Sequence, residues 1–134
     1  MMNKLKYLFI SLPFLFFECR NVQPAEPAII GTWSSDNAVF VFEENGLFSA
    51  ENLPSGIFFI EPKARQGQFS GKGKWKFRMV QDDWEIYLHF DEISNDYKGY
   101  ETSLLLSKGR DGQWNIFLWK EEEGGERYEF HKNR

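Results

Sequence analysis

Two histidines, one cysteine and a few clustered carboxylates are the side chains in this sequence that could do covalent or metal chemistry. A hydrolytic triad needs a nucleophile, a base in reach of it and a third group that orients the base. His89 and His131 lie far apart in the chain, each on the polar side of a strand-like run, and no nucleophile-elbow pattern accompanies them. Both read as solvated strand histidines. Zinc sites use paired His or Cys at short fixed spacings, and the chain has none of these. Glu121, Glu122, Glu123 and Glu126 could attract a hard cation such as calcium, but a Glu-Glu-Glu-Gly-Gly run reads first as a solvated acidic turn. Asp82-Asp83 and Asp91-Glu92 pair carboxylates within turns, whereas a glycosidase needs two acids held across a cleft. The expectation is a protein that is not an enzyme, with no catalytic residue, no metal and no cofactor.

Two surfaces have more to offer. Lys72, Lys74, Lys76 and Arg78 alternate with apolar residues and form a basic row, extended in sequence by Lys63 and Arg65. In a chain of net charge −4 this row could meet an anionic envelope component, a lipid head group or an acidic protein. The plainer account is an exposed strand guarded by lysines against edge pairing, partly neutralised by Glu85. The acidic balance argues against a nucleic-acid partner, because phosphate binding needs a net basic footprint. The opposite side carries Trp75, Phe77, Trp84, Ile86, Leu88, Phe90, Trp114 and Ile116. These either fill a core or, at one mouth, line a pocket for a small apolar ligand. The candidate pocket set is Trp75, Phe77, Trp84, Ile86 and Trp114, with Phe58 and Phe59 as part of a lid formed by Ile57-Phe58-Phe59-Ile60.

The elements that must position these residues are strands. Gly73, Trp75, Phe77 and Met79 alternate with Lys72, Lys74, Lys76 and Arg78, and Trp84, Ile86, Leu88 and Phe90 alternate with Glu85, Tyr87 and His89. A period of two over this length is a half-buried strand, and Gln81-Asp82-Asp83 turns one run into the next. Asn45-Gly46 marks another tight hairpin. Gly109 to Gly112 and Gly124-Gly125 mark further turns, before strands at Gln113 to Lys120 and Arg127 to Lys132. Seven or eight short strands without a convincing helix predict an all-β antiparallel meander, and closing it into a barrel removes the exposed edges. One cysteine excludes an intramolecular disulfide, so the core alone must hold the fold.

The N-terminus is of another kind. Lys4 and Lys6 precede the apolar run Leu8 to Phe17, which is too short for a bilayer span but suits an export signal. Cys19 follows two residues later. This arrangement resembles a bacterial lipoprotein signal, in which the cysteine is acylated and becomes the new N-terminus. The expected organisation is therefore a signal helix over 1–18, a tether over 19–27 and the β domain over 28–134. The product is exported and anchored in the cell envelope by lipidated Cys19, or soluble outside the cytoplasm if cleavage follows Ala25 or Ala28 instead. The oligomeric state is left open.

Gly31-Thr32-Trp33 at the start of the domain resembles the Gly-x-Trp signature of lipocalin-like (calycin) barrels. That likeness implies a Trp closing one end of the barrel under a basic residue from the last strand, here Arg127 over Trp33. Gly46-Leu47-Phe48-Ser49-Ala50, Ser70-Gly71-Lys72-Gly73-Lys74-Trp75, Phe117-Leu118-Trp119 and Arg127-Tyr128-Glu129-Phe130 extend the resemblance to a family of small exported bacterial proteins without an established activity. Two functional classes follow: a binding module for a small apolar or anionic ligand, or a protein–protein interaction module of inhibitor or immunity type with a filled core.

Overall fold

The computed structural model describes residues 22–58, 67–94, 99–120 and 125–133; the export segment with Cys19, and Phe59, Lys63, Arg65 and Glu121 to Glu123, lie outside them. Eight strands run β1 Gly31–Ser35, β2 Ala38–Phe42, β3 Leu47–Pro54, β4 Gln68–Val80, β5 Asp83–Ile93, β6 Glu101–Lys108, β7 Trp114–Trp119 and β8 Arg127–Lys132. Each pairs with the next, antiparallel, and β8 returns to β1, so the meander closes as a barrel. This is the all-β antiparallel meander barrel the alternation predicts, and its architecture is lipocalin-like, as the Gly31-Thr32-Trp33 resemblance implies.

The turns follow residue chemistry. Gln81 and Asp82 both adopt positive φ between the paired residues Val80 and Asp83, the geometry whose twist matches flanking strands. The Asn45-Gly46 hairpin also forms, by a different route. Only Gly46 takes positive φ, at 78°, and Glu43 N–H donates to the Leu47 carbonyl at 2.9 Å. The loop is a type I turn completed by a left-handed glycine, with Asn45 Oδ1 accepting from Leu47 N–H at 3.2 Å.

Inward-facing residues fill the lumen with rings. The Phe40 ring lies 5.0 Å from Phe130, 5.5 Å from Phe42, 6.1 Å from Phe58 and 6.2 Å from Phe48. Phe90 continues the stack, 5.0 Å from Phe48 and 5.9 Å from Phe69. Ile86, Leu88, Leu104, Ile116 and Phe130 are fully buried between them. Each such side chain contributes on the order of 2 kcal/mol when taken from water. Gly71 and Gly73 face the same interior and make room for this packing: a Cβ on Gly71 would stand 2.8 Å from the Phe90 ring. The register slips between Lys72 and Gly73, a bulge that bends the β4–β5 ribbon around the barrel.

One short helix closes each end. At the end where β1 begins, α1 (Glu26–Ile29) lays Ile29, which is fully buried, over the rings. It straddles the boundary drawn at 27/28, and Pro24 before it is also buried. At the other end, α2 (Ser55–Phe58) plugs the barrel with Phe58, whose ring meets Phe40 and Phe69 and whose carbonyl accepts from the Tyr100 hydroxyl. Ser55 is fully buried and its hydroxyl has no hydrogen-bond partner among the described residues. An unpaired buried hydroxyl costs about 1–3 kcal/mol, so Ser55→Ala should stabilise the protein by about 1 kcal/mol. The check is a higher urea midpoint at unchanged slope; a lower midpoint would mean that the hydroxyl is satisfied.

Candidate functional site

The end closed by α1 carries an open cleft of about 570 Å³ between the strap Val22–Ala28 and the barrel rim. Val22, Pro24, Ala25 and Ala28 form one wall; Trp84, Leu106 and Trp114 form the other, with Asp83, Ser107 and Lys108 at the margin. That volume falls within the roughly 300–1,000 Å³ of small-molecule sites. Trp84 and Trp114 are half-buried, and Lys108 Nζ stands 5.6 Å from the centre of the Trp114 ring.

The strap is tied down by the barrel it covers. Trp33 Nε1 donates to the Ile29 carbonyl at 2.7 Å. Lys132 Nζ donates to the carbonyls of Pro27 and Ala28, each at 3.2 Å. The β1–β8 seam sets this up by pairing Trp33 with Lys132 and Ser34 with His131. Lys132 is therefore the last-strand cation at the Trp33 end, which corrects the expectation of Arg127 there. Arg127 lies five positions back along β8 and pairs with Trp119. Its guanidinium sits 4.1 Å from the Phe117 ring centre and 5.3 Å from that of Trp119, on the outside of the barrel. The stagger of the closing strands decides which cation meets the Trp.

The expected pocket residues separate. Trp84 and Trp114 reach the cleft. Trp75 does not: it is buried, its Nε1 donates to the Glu43 carbonyl at 3.0 Å, and its ring packs edge-on against Phe42 and Phe77. Ile86 is fully buried, and Phe77 packs against the same core. Phe58, expected as a lid over these tryptophans, plugs the opposite end instead, because β3 ends there and α2 follows directly. The strap and Leu106 were not singled out as site residues. Pro27 in the first turn of α1 was the available signal, since a proline there precedes a short helix as readily as it marks a tether.

The basic row lies on the outer face of β4, in register with an acidic and polar β5. Lys72 pairs across to Glu92, Lys74 to His89, Lys76 to Tyr87 and Arg78 to Glu85. Lys72 and Glu92 approach to 3.6 Å and Arg78 and Glu85 to 4.0 Å, while Arg78 also donates to Ser103 Oγ at 2.9 Å and lies over the Tyr87 ring. Exposed pairs of this kind contribute little individually. They do make the face a mixed lattice of charges and not a positive stripe. His89 belongs to that lattice, with Nδ1 2.9 Å from Glu101 and Nε2 3.5 Å from Asp91. Hydrogen bonds from Tyr87 and His89 hold the Glu101 carboxyl below the usual carboxylate range, and the bond to Glu101 raises the Tyr87 phenol. The cluster sits on an open outer surface and not in a cleft. Among the described residues no three His, Cys, Asp or Glu side chains converge as metal ligands would.

Fold and cleft together define the class: a closed eight-stranded antiparallel meander barrel of lipocalin-like architecture, with a filled lumen and a strap-walled cleft at one mouth. Comparison with protein-family models, with curated proteins and with solved structures returned no match.

Proposed function

We propose that this chain is an exported, non-catalytic binding module of the bacterial cell envelope, anchored by a lipid on Cys19, that holds a small apolar ligand in the cleft at its mouth. The observation that carries the reading is the contrast between lumen and rim. Phenyl rings at van der Waals spacing occupy the interior, whereas Trp84, Leu106 and Trp114 offer apolar surface that the barrel itself leaves half-covered. Half-buried aromatic side chains around a few polar groups are the usual lining of a ligand site. The Lys72 to Arg78 face is the weaker candidate for an anionic partner, since its cross-strand neighbours already supply counter-charge.

The test is native mass spectrometry of the full chain extracted from membranes in mild detergent, with tryptophan emission recorded before and after organic extraction. A retained small molecule and an emission shift are expected. Trp84→Ala combined with Trp114→Ala should weaken retention by on the order of a hundredfold, two aromatic contacts at about 1–2 kcal/mol each. A clean apo mass with an unchanged spectrum would reject the reading. The filled lumen also suits an interaction module of inhibitor or immunity type, for which the exposed Trp119 beside Phe117 and Arg127 is the surface to mutate.

A further inference from the structure

We infer that the mouth bearing the cleft is the bilayer-facing end of the barrel, and that the cleft takes an acyl chain of a lipid from that bilayer. This rests on the cleft and the Cys19 anchor proposed above, and on two observations.

The first is where the chain leaves the barrel. Val22 lies on the cleft wall, and Cys19 precedes it by three residues. Three residues span at most about 10 Å. Beyond Val22 the strap is fastened: Pro24 is buried, and Lys132 and Trp33 hold the carbonyls of Pro27, Ala28 and Ile29 against the barrel. A lipid on Cys19 therefore keeps this mouth near the head groups, five residues or at most about 17 Å from buried Pro24, while β4 alone, 13 residues of tilted strand, sets the other end roughly 30 Å further along the barrel axis.

The second is the distribution of exposed apolar side chains. Among the described residues the large ones are Val22, Leu47, Met79 and Trp119. Val22 belongs to the strap, Leu47 follows the β2–β3 turn and Met79 precedes the β4–β5 turn, all at the mouth end; Trp119 ends β7 at the other. With Trp84 and Trp114 half-buried at the same rim, the mouth gathers tryptophan and exposed apolar side chains as a membrane interface does, among the exposed carboxylates Glu43, Glu44, Asp82 and Asp83. An anchored barrel in this pose presents an apolar cleft directly to acyl chains, with Lys108 at its margin for a head-group phosphate.

The experiment places the exported, lipidated full chain on phosphatidylcholine vesicles whose phospholipid acyl chains are brominated, and reads tryptophan emission. Emission should fall on brominated relative to plain vesicles. The fall should vanish in the Trp84→Phe, Trp114→Phe double variant and persist in Trp119→Phe. Quenching that survives the double variant, quenching abolished by Trp119→Phe, or a chain that does not stay on the vesicles would overturn the inference. Retention in the mass spectrum without quenching on vesicles would keep the cleft as a ligand site and reject its orientation. Quenching by Trp84 and Trp114 without retention would keep the orientation and reject the acyl chain as a held ligand.

Discussion

Gly73→Ala is expected to abolish folding or to cost about 4 kcal/mol or more, beyond the ordinary range of single substitutions. Gly73 sits on β4 beside the bulge in its pairing with β5, and its backbone lies against that strand. A Cβ there would stand 1.8 Å from the His89 carbonyl oxygen, 2.8 Å from its carbon and 2.9 Å from the Phe90 Cα. All three are backbone atoms, so no side-chain rotation relieves the clash, and the ribbon must part where Gly73 pairs with Phe90. Phe90 would be pushed off Phe48 and Phe69, spreading the damage into the core. Gly112→Ala is the reference. That glycine has φ of +79° and nothing within 4 Å of a Cβ, so it should cost only backbone strain of about 1 kcal/mol. Urea melts followed by circular dichroism separate the two. Equal midpoints would show that the β4–β5 ribbon can yield at the bulge, and that the close approach is not a constraint on the fold.

Gly73 also shows where sequence reasoning reaches and where it stops. The alternation from Lys72 to Met79 announces a half-buried strand because each side chain must face either water or core, and a period of two is visible without any partner. The same reasoning places Trp75 and Trp84 on one face, correctly, yet they have different fates. What separates them is height along the barrel axis. Trp75 lies level with Leu88, inside the ring stack, whereas Trp84 pairs with Met79 at the hairpin tip, beyond the stack. Height depends on how far each strand is staggered against the next, which is a property of the closed sheet and not of any single strand. The exchange of Arg127 for Lys132 beside Trp33 has the same origin. Both cations lie on β8, and only the β1–β8 register selects between them. Phe117 shows the converse. It faces outward by alternation but is only 5% exposed, because Trp119 and the Arg127 guanidinium cover it. The cleft was least legible, since its strap wall comes from residues whose prolines and charges look like linker until Lys132 and Trp33 bind their carbonyls.

Phe40→Ala should lower stability by about 4 kcal/mol and, more tellingly, should turn a filled barrel into one that binds benzene. Phe40 is fully buried and touches four other rings. Truncation removes those edge and stacking contacts, worth about 0.5–1.5 kcal/mol per pair beyond area. It leaves a void lined by Phe42, Phe48, Phe58 and Phe130. Strands constrained on both sides by ladder hydrogen bonds cannot collapse into such a space, and a dry apolar void of this kind accepts small aromatic molecules. Phe40→Leu keeps most of the volume and should retain the fold if the alanine variant is too unstable to study. The measurement is saturable benzene binding by NMR, read at the methyl groups of Ile86 and Ile116 in the core and of Val22 on the strap wall of the cleft. The wild type should show no shift at the core methyls, and Phe40→Ala should show one there with Val22 unmoved. Core shifts in the wild type would mean that the lumen is hollow, and the ligand site would move from the rim back inside the barrel. The two volumes differ in their lining: core rings would line the void, whereas the strap and the rim line the cleft, so ligand chemistry belongs to the rim and stability to the core.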